Sequence, residues 1–337
     1  VRLVHAVRSD QFAGVERHVA VLARAQADAG HRVTVVGGDP NRMEMALGER
    51  VPQVPARTTA EVARALMALR KPDLVHVHMT AAEVAAALVH PLVRRPVVAT
   101  RHFTGTRGSS LSGRAARLLV RRVLSAQIAV SQHVADGVDG ASVVVHPGVH
   151  GPLVVPGVSE RRPWVLVAQR LEPEKRTEDA IRAFAEVVPA GWSLVLAGDG
   201  SRRSSMEEVV RGLGIADLVQ FVGHRDDVRD LMAQASVLLA PCPDEGLGLS
   251  VLEAMAAGLP VVAADGGGHR ETVGQSSPEY LYPPGDWRAA AERLDRLAHS
   301  PELRARAAEA GREVQARRFT VERQVRATDE VYRAVLA

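Results

Sequence analysis

Two glutamates eight residues apart, Glu245 and Glu253, stand in the stretch PDEGLGLSVLEAMAAGLPVVAADGGG that begins at Pro243. An ionised carboxylate only accepts hydrogen bonds and can hold both donors of a vicinal diol. Gly246 and Gly248 leave a turn whose backbone amides a ligand can approach, and the small apolar residues after it predict a helix over about 248–257. The first turn of a helix carries unsatisfied N–H groups and a partial positive charge, which favour an anion. Glu253 then lies roughly 7.5 Å along the axis from Gly248, at 1.5 Å per residue. This pattern suits a ligand with hydroxyls at both ends and negative charge between them. A nucleotide sugar, with its ribose, diphosphate and hexose, has that chemistry. The plainer alternative makes Glu245 a complement to the helix start and Glu253 a solvated residue. Against it, Glu253 is followed by AMAAG, which reads as packed rather than solvated helix.

Such residues need a scaffold, and the chain alternates β-rich runs with helix-length segments. RLVHAV (2–7), HRVTVVGG (31–38), DLVHVH (73–78), PVVATRH (96–102), AQIAVS (126–131) and SVVVH (142–146) are strands in the first half. Helical patterns lie between them, as over 15–29 and 58–70. After a Pro/Gly-rich stretch at 146–163, read as a linker, the rhythm resumes with runs at 164–170, 192–200, 218–223, 236–241 and 260–265. Continuous apolar strands alternating with helices predict an α/β fold of doubly wound parallel sheets. We expect two Rossmann-like domains facing a cleft, 1–153 and 154–319, with ligands beyond the carboxyl ends of the strands.

Composition narrows the function further. The 337 residues accommodate two domains, and 46 % are hydrophobic but only 3 % aromatic. A formal charge of +3 gives no global support for nucleic-acid binding. The single cysteine, Cys242, excludes an intramolecular disulfide and a cysteine-based metal site and fits a reducing, cytoplasmic setting. No signal-peptide core and no run of 18 apolar residues stands out. Only two lysines, Lys71 and Lys175, accompany 40 arginines, a bias of the kind a GC-rich, actinobacterial genome produces.

EGLGLSVLEAMAAGLPVVAADGGG resembles the paired-glutamate signature of retaining GT-B glycosyltransferases, family 4 in the sequence classification. The resemblance covers nearly the whole chain. AGVERHVAVLARAQADAGHRVTVV (13–36), PDLVHVH, VVATRH, IAVSQHVAD, VAQRLEPEKRTEDAIRAF (167–184), LVLAGDG and VQFVGHRDDV follow in the family's order. It implies a transferase that moves a sugar from a nucleotide-diphosphate sugar to a hydroxyl acceptor, with no cofactor beyond that co-substrate. It also implies a closing helix, about 320–337, that packs back on the N-terminal domain.

The resemblance assigns roles residue by residue. Arg170 and Lys175 hold the donor diphosphate and stabilise the charge on the leaving group. A surface ion pair of either with Glu172 or Glu174 is the alternative. Glu253 binds the donor ribose, and Glu245 contacts the transferred sugar beside Gly246 and the amides of Leu247, Gly248 and Leu249. Gly198 of AGDG and Arg225 of GHRDD frame the base. In the first half, Gly14 brings an amide to the donor phosphate, and His102, at the end of its strand, faces donor sugar and acceptor. Three positions depart from the family pattern: Ala13 replaces a glycine before Gly14, Gln169 a glycine before Arg170, and Leu247 a phenylalanine.

No metal ligand is expected. An Asp-x-Asp pair at a strand end is missing, and the HVH of 76–78 reads as alternate strand residues pointing into a core. The polar segment 103–113 is the expected acceptor loop. After it, Arg114, Arg117 and Arg121 share one helical face with leucines opposite, a pattern that suits either a solvated helix or contact with anionic lipid. Lipid-linked, small-molecule and natural-product acceptors all fit. Three other functions compete with this one. An epimerase of the same architecture needs a base to deprotonate the sugar. A dehydrogenase needs a G-x-G-x-x-G after a first strand, and neither VRSDQFAG nor VAQRLEPEK supplies one. A non-catalytic nucleotide-sugar-binding module would not need the full set of polar residues found here.

Overall fold

The computed structural model describes residues 1–10, 12–69, 72–107, 111–151, 155–187 and 190–337, with the side chains of 111–115 left aside. The chain divides into two compact units, residues 1–148 with 321–337, and residues 149–320. The crossing comes at 148/149, ahead of the 153/154 boundary read from sequence. Val149 is already committed to the second unit: its N–H bonds to the Phe319 carbonyl at 3.0 Å and its carbonyl accepts from the Gln315 amide at 3.1 Å. Gly148, by contrast, donates at 2.8 Å to Gln324 in the last helix.

The first unit holds seven strands: β1 (Arg2–Val7), β2 (Arg32–Val36), β3 (Gln53–Val54), β4 (Leu74–His78), β5 (Val97–Arg101), β6 (Leu124–Ala129) and β7 (Val143–Val144), in the order β3-β2-β1-β4-β5-β6-β7. The second holds β8 (Trp164–Ala168), β9 (Ser193–Ala197), β10 (Val219–Gly223), β11 (Val237–Ala240), β12 (Val261–Ala264) and β13 (Leu281–Tyr282), ordered β10-β9-β8-β11-β12-β13. All the ladders are parallel. Each sheet thus reverses direction beside its own first strand, between β1 and β4 and between β8 and β11. Those are the switch points at which open α/β sheets bind ligands.

The strands read as continuous apolar runs because helices cover both faces. In the first sheet Leu3, Val33, Val35, Leu74 and Val98 enter one core, while Val4, Val36, Val75, Val77 and Val97 enter the other. The last helix, Val321–Leu336, belongs to the first unit and places Val331 and Tyr332 in the Leu3 core. The second sheet divides in the same way, with Leu166 and Leu238 on one side and Val165 and Val237 on the other. The short strands β3 and β13 escape sequence reading, being two residues each.

Candidate functional site

The chemistry-bearing residues of the second unit meet at its switch point. From the end of β8 the chain runs through Gln169 and Arg170 to a 3₁₀ turn at Pro173–Lys175 and then the helix Thr177–Val187. From the end of β11 it runs through Cys242 and Glu245 to the helix Leu249–Ala256, with Gly248 before it in the left-handed region at φ 89°. The two loops are joined by an ion pair, Lys175 Nζ to Glu245 Oε2 at 2.6 Å, and by the Cys242 thiol, which donates to the Glu174 carbonyl at 3.6 Å. Their side chains are 14 % and 22 % exposed, so the pair is screened from water yet open to a ligand. Burial disfavours the lysine charge, but Glu245 outweighs it and the Lys175 pKa stands above its ordinary value. Removing either partner would leave the other uncompensated.

The loop around the pair is fixed by backbone contacts. The Gln169 amide donates to the Lys175 carbonyl at 2.8 Å and to the Thr177 hydroxyl at 3.0 Å. This residue in place of a glycine therefore ties down the turn that carries Lys175. The glycines after β12 are needed for close approach. A Cβ on Gly267 would sit 2.4 Å from the Glu245 carbonyl oxygen, and its φ of 53° disfavours any side chain. The Gly268 amide donates to that same carbonyl at 2.8 Å. The GGG segment is thus a wedge behind Glu245. Cys242 lies 3.8 Å from Lys175 Nζ, and burial pushes its thiol up to about 11, which keeps it protonated.

The switch point of the first unit is built differently. His5 on β1 and His76 and His78 on β4 continue the Leu3/Leu74 face of the sheet, His5 standing directly opposite His76 in the ladder. All three are fully buried. His102 follows β5, and His18 comes from the helix Gly14–Asp28. His5 Nδ1 is 3.1 Å from His78 Nε2, and His78 Nδ1 is 3.1 Å from His102 Nε2. His76 is closed off between Tyr332 Oη at 2.5 Å and Thr100 Oγ1 at 2.6 Å. Burial drives every one of these rings towards the neutral form, His5 to about 4 and His18 to about 3, with His76, His78 and His102 also well below the ordinary value. Two sets, His5/His76/His78 and His18/His78/His102, keep their ring nitrogens within 4.8 Å of one another.

Two family models match the chain, one over each part. The model of the glycosyl transferases group 1 matches residues 136–314, and that of glycosyltransferase family 4 matches residues 12–150. The chain belongs to the glycosyl transferases group 1. It is 32 % identical over 181 residues to N-acetyl-alpha-D-glucosaminyl L-malate synthase of Bacillus anthracis, covering 53 % of this chain and 48 % of that protein. It is 34 % identical over 254 residues to 2-deoxystreptamine N-acetyl-D-glucosaminyltransferase of Streptomyces fradiae, covering 64 % and 60 %. The chain thus spans about half to three-fifths of the length of these curated relatives. The crystal structure of Anabaena HepE in complex with UDP superposes with a TM-score of 0.84 at 22 % identity, covering 99 % of this chain and 100 % of that one. The shared fold is GT-B, two Rossmann-like units.

Against the family pattern, the structure brings some expected residues together and separates others. Lys175 and Glu245 meet. Arg170 does not join them: it is 60 % exposed and paired with Glu174 at 2.9 Å, the surface alternative, although its charge is felt at Lys175. Glu253 is buried on its helix, 3.4 Å from Arg229. Gly246, Leu247 and Gly248 are buried at the helix start, with Leu249 its first residue. Gly198 is fixed by packing, since a Cβ there would lie 1.8 Å from the Gln169 carbonyl oxygen. Arg225 is exposed and clamps Asp227 through both Nε and Nη2. Gly14 opens its helix, and the Ala13 N–H before it is taken by Glu16 at 2.9 Å. Ala13 sits in extended backbone, which its methyl group tolerates.

Around the expected acceptor loop, Arg107 is buried against Glu83, Gln127 and Asp139, while Arg101 holds the Gly105 carbonyl at 2.7 Å. These anchors fasten residues 103–107; residues 108–110 and the Arg114 side chain lie outside the described residues. In the helix after the loop, Leu111–Val123, Leu118 is 59 % exposed and Leu119 is also on the solvent side, with Val120 taking the buried position. No helix among the described residues is long and apolar enough to cross a membrane. Sequence reading singled out His102 and the HVH of 76–78 but missed their assembly with His5 and His18, the Arg107–Glu83 pair and His269, which is buried beside Gly248 and bonded at 3.0 Å to the Ala264 carbonyl. Only the His269 position carried a signal, as the residue directly after the GGG wedge.

Proposed function

We propose that the chain is a retaining glycosyltransferase that moves a sugar from a nucleoside-diphosphate sugar to a hydroxyl acceptor without a metal ion. The observation that carries this reading is the half-buried Lys175–Glu245 pair at the β8/β11 switch point, beside the helix start at Gly248. A diphosphate placed at that helix start gains the dipole and the Lys175 charge, and Glu245 is left to accept hydroxyls of the sugar. Arg170 swings from its exposed partner Glu174 to the outer phosphate. Glu253 takes the ribose, exchanging its long contact with Arg229 for the diol.

In the transfer step the bond from the anomeric carbon to the phosphate oxygen breaks. The departing phosphate oxygen takes the acceptor proton, and the acceptor oxygen bonds to the same face of the sugar. Charge builds on the diphosphate as this happens, so Lys175 and Arg170 stabilise the transition state more than the bound donor. The first unit supplies acceptor recognition, with His102 at the end of β5 contacting a sugar hydroxyl.

HepE structures contain UDP and UDP-glucose, which makes uridine diphosphate the first donor nucleotide to try. The relatives named for L-malate and 2-deoxystreptamine favour a small hydroxylated acceptor. The test is a transfer reaction with candidate UDP-sugars and polyol acceptors, followed by proton NMR of the new anomeric centre with and without EDTA. An α-linked product from an α-linked donor, formed equally with EDTA, supports the proposal. An inverted anomer, or activity abolished by the chelator, rejects it.

A further inference from the structure

The four buried histidines of the first unit and the half-buried His102 beside them exceed what positioning one ring requires, and their hydrogen bonds have a direction. His5 Nε2 lies 2.7 Å from Gln26 Oε1, and an amide oxygen can only accept. His5 therefore carries its proton on Nε2. In a neutral ring the other nitrogen is then bare, so His5 Nδ1 accepts from His78 Nε2–H at 3.1 Å. By the same step His78 Nδ1 is bare and accepts from His102 Nε2–H at 3.1 Å. The chain ends with His102 Nδ1 unprotonated, on the one ring of the three that is partly exposed. The amide end facing His5 is the setting of the whole chain. The other end of the Gln26 amide lies towards the Tyr332 hydroxyl. Were that amide reversed, all three protons would move and His102 would carry its proton on Nδ1.

His18 is set independently and oppositely. Gln324 Oε1 is occupied by the Gly148 N–H at 2.8 Å, so its NH2 faces His18 Nε2 at 3.3 Å and makes that nitrogen the acceptor. The His18 proton is left on Nδ1, and its ring stands edge-on to His102 with centroids 4.8 Å apart.

We propose that Gln26, acting through His5 and His78, holds His102 as a hydrogen-bond acceptor at Nδ1, so that His102 selects a substrate group that can donate a proton, a hydroxyl. Gln26, His5 and His78 are positioning residues; only His102 touches substrate. The substrate part rests on the glycosyltransferase reading, whereas the tautomer pattern does not.

The test is two-bond proton–nitrogen correlation NMR on the whole chain labelled with 15N-histidine, after EDTA treatment and again with added zinc. We expect Nε2–H tautomers for His5, His78 and His102 and an Nδ1–H tautomer for His18, unchanged by zinc. An Nδ1–H tautomer at His102 overturns the proposal, as does a zinc titration that removes the Nε2–H signals, because a cation would then occupy the cluster. Gln26→Leu should mix the tautomers at His78 and His102 and lower kcat/KM by about tenfold, the worth of one hydrogen bond. Should that variant not fold, the wild-type pattern alone decides. In the substrate arm, sugar analogues with one hydroxyl replaced by fluorine are compared on wild type and His102→Phe. One position should lose activity on wild type and lose nothing further on the variant; equal losses at every position on both proteins overturn the substrate half. A correct tautomer pattern with no transfer activity would reject the glycosyltransferase reading and leave the chain of protons standing.

Discussion

The two units share a strand order and differ in what they place at its switch point. In the second unit it is charged: Lys175 and Glu245 come from loops and remain partly exposed. In the first it is neutral, with rings from β1 and β4 buried among valines and held uncharged by desolvation. On the proposed reading, the charged site takes an anion and the neutral one takes hydroxyls. The contrast follows from where the residues sit. Loops can carry charge because water and neighbouring loops solvate it, whereas interior strand positions tolerate polar groups only when neutral and hydrogen-bonded.

The largest expected effect breaks the charged half. Lys175→Ala should lower kcat by about 10²–10³, in line with the loss of one transition-state donor, while nucleoside diphosphate affinity falls far less; single-turnover rates beside binding isotherms check this. Glu253→Ala comes next. Loss of a carboxylate's bonds to a ribose diol should weaken nucleoside diphosphate binding by about ten- to a hundredfold with little change in kcat.

Acid sharpens the comparison through stability. A histidine held near 4 in the fold and 6.5 unfolded binds fewer protons folded than unfolded, so its contribution to stability is full above about 6.5 and falls as pH drops towards 4. For His5 alone that loss reaches about 3 kcal/mol at pH 4. Five such rings lie in the first unit, against His269 in the second. Hydrogen exchange resolved by peptide should therefore show residues 1–148 losing protection between pH 7 and pH 5 well ahead of residues 149–320. Equal loss in both would break the contrast. The smallest effect is at Arg225, whose exposed clamp on Asp227 is a surface pair. Arg225→Ala should leave the melting temperature unchanged within error and alter donor KM only a few-fold.

This difference also explains what could be read in advance. Strand runs and their alternation with helices were plain because parallel strands covered on both faces become valine-rich. Glu245 and Glu253 stood out because carboxylates beside a glycine turn and a packed helix are unusual at that spacing, whereas Lys175 was named only by the family resemblance. The histidine chain was not plain: His102 and the HVH of 76–78 stood apart from each other, and His5 and His18 are single letters up to about a hundred residues away. Only the β1–β4 register and the helix after β1 bring them together. The placement of Arg170 at the surface was equally hidden, since a cation beside Glu174 and one beside a phosphate look alike in sequence.

The central claim is that the charged switch point of residues 149–320 holds a nucleoside diphosphate. Isothermal titration of UDP, GDP, ADP, dTDP and CDP into wild type, Glu253→Ala and His102→Ala tests it most directly. The account predicts that one diphosphate binds wild type, binds Glu253→Ala about ten- to a hundredfold more weakly and binds His102→Ala as tightly as wild type. Binding of none of them, or equal binding by wild type and Glu253→Ala, would contradict it.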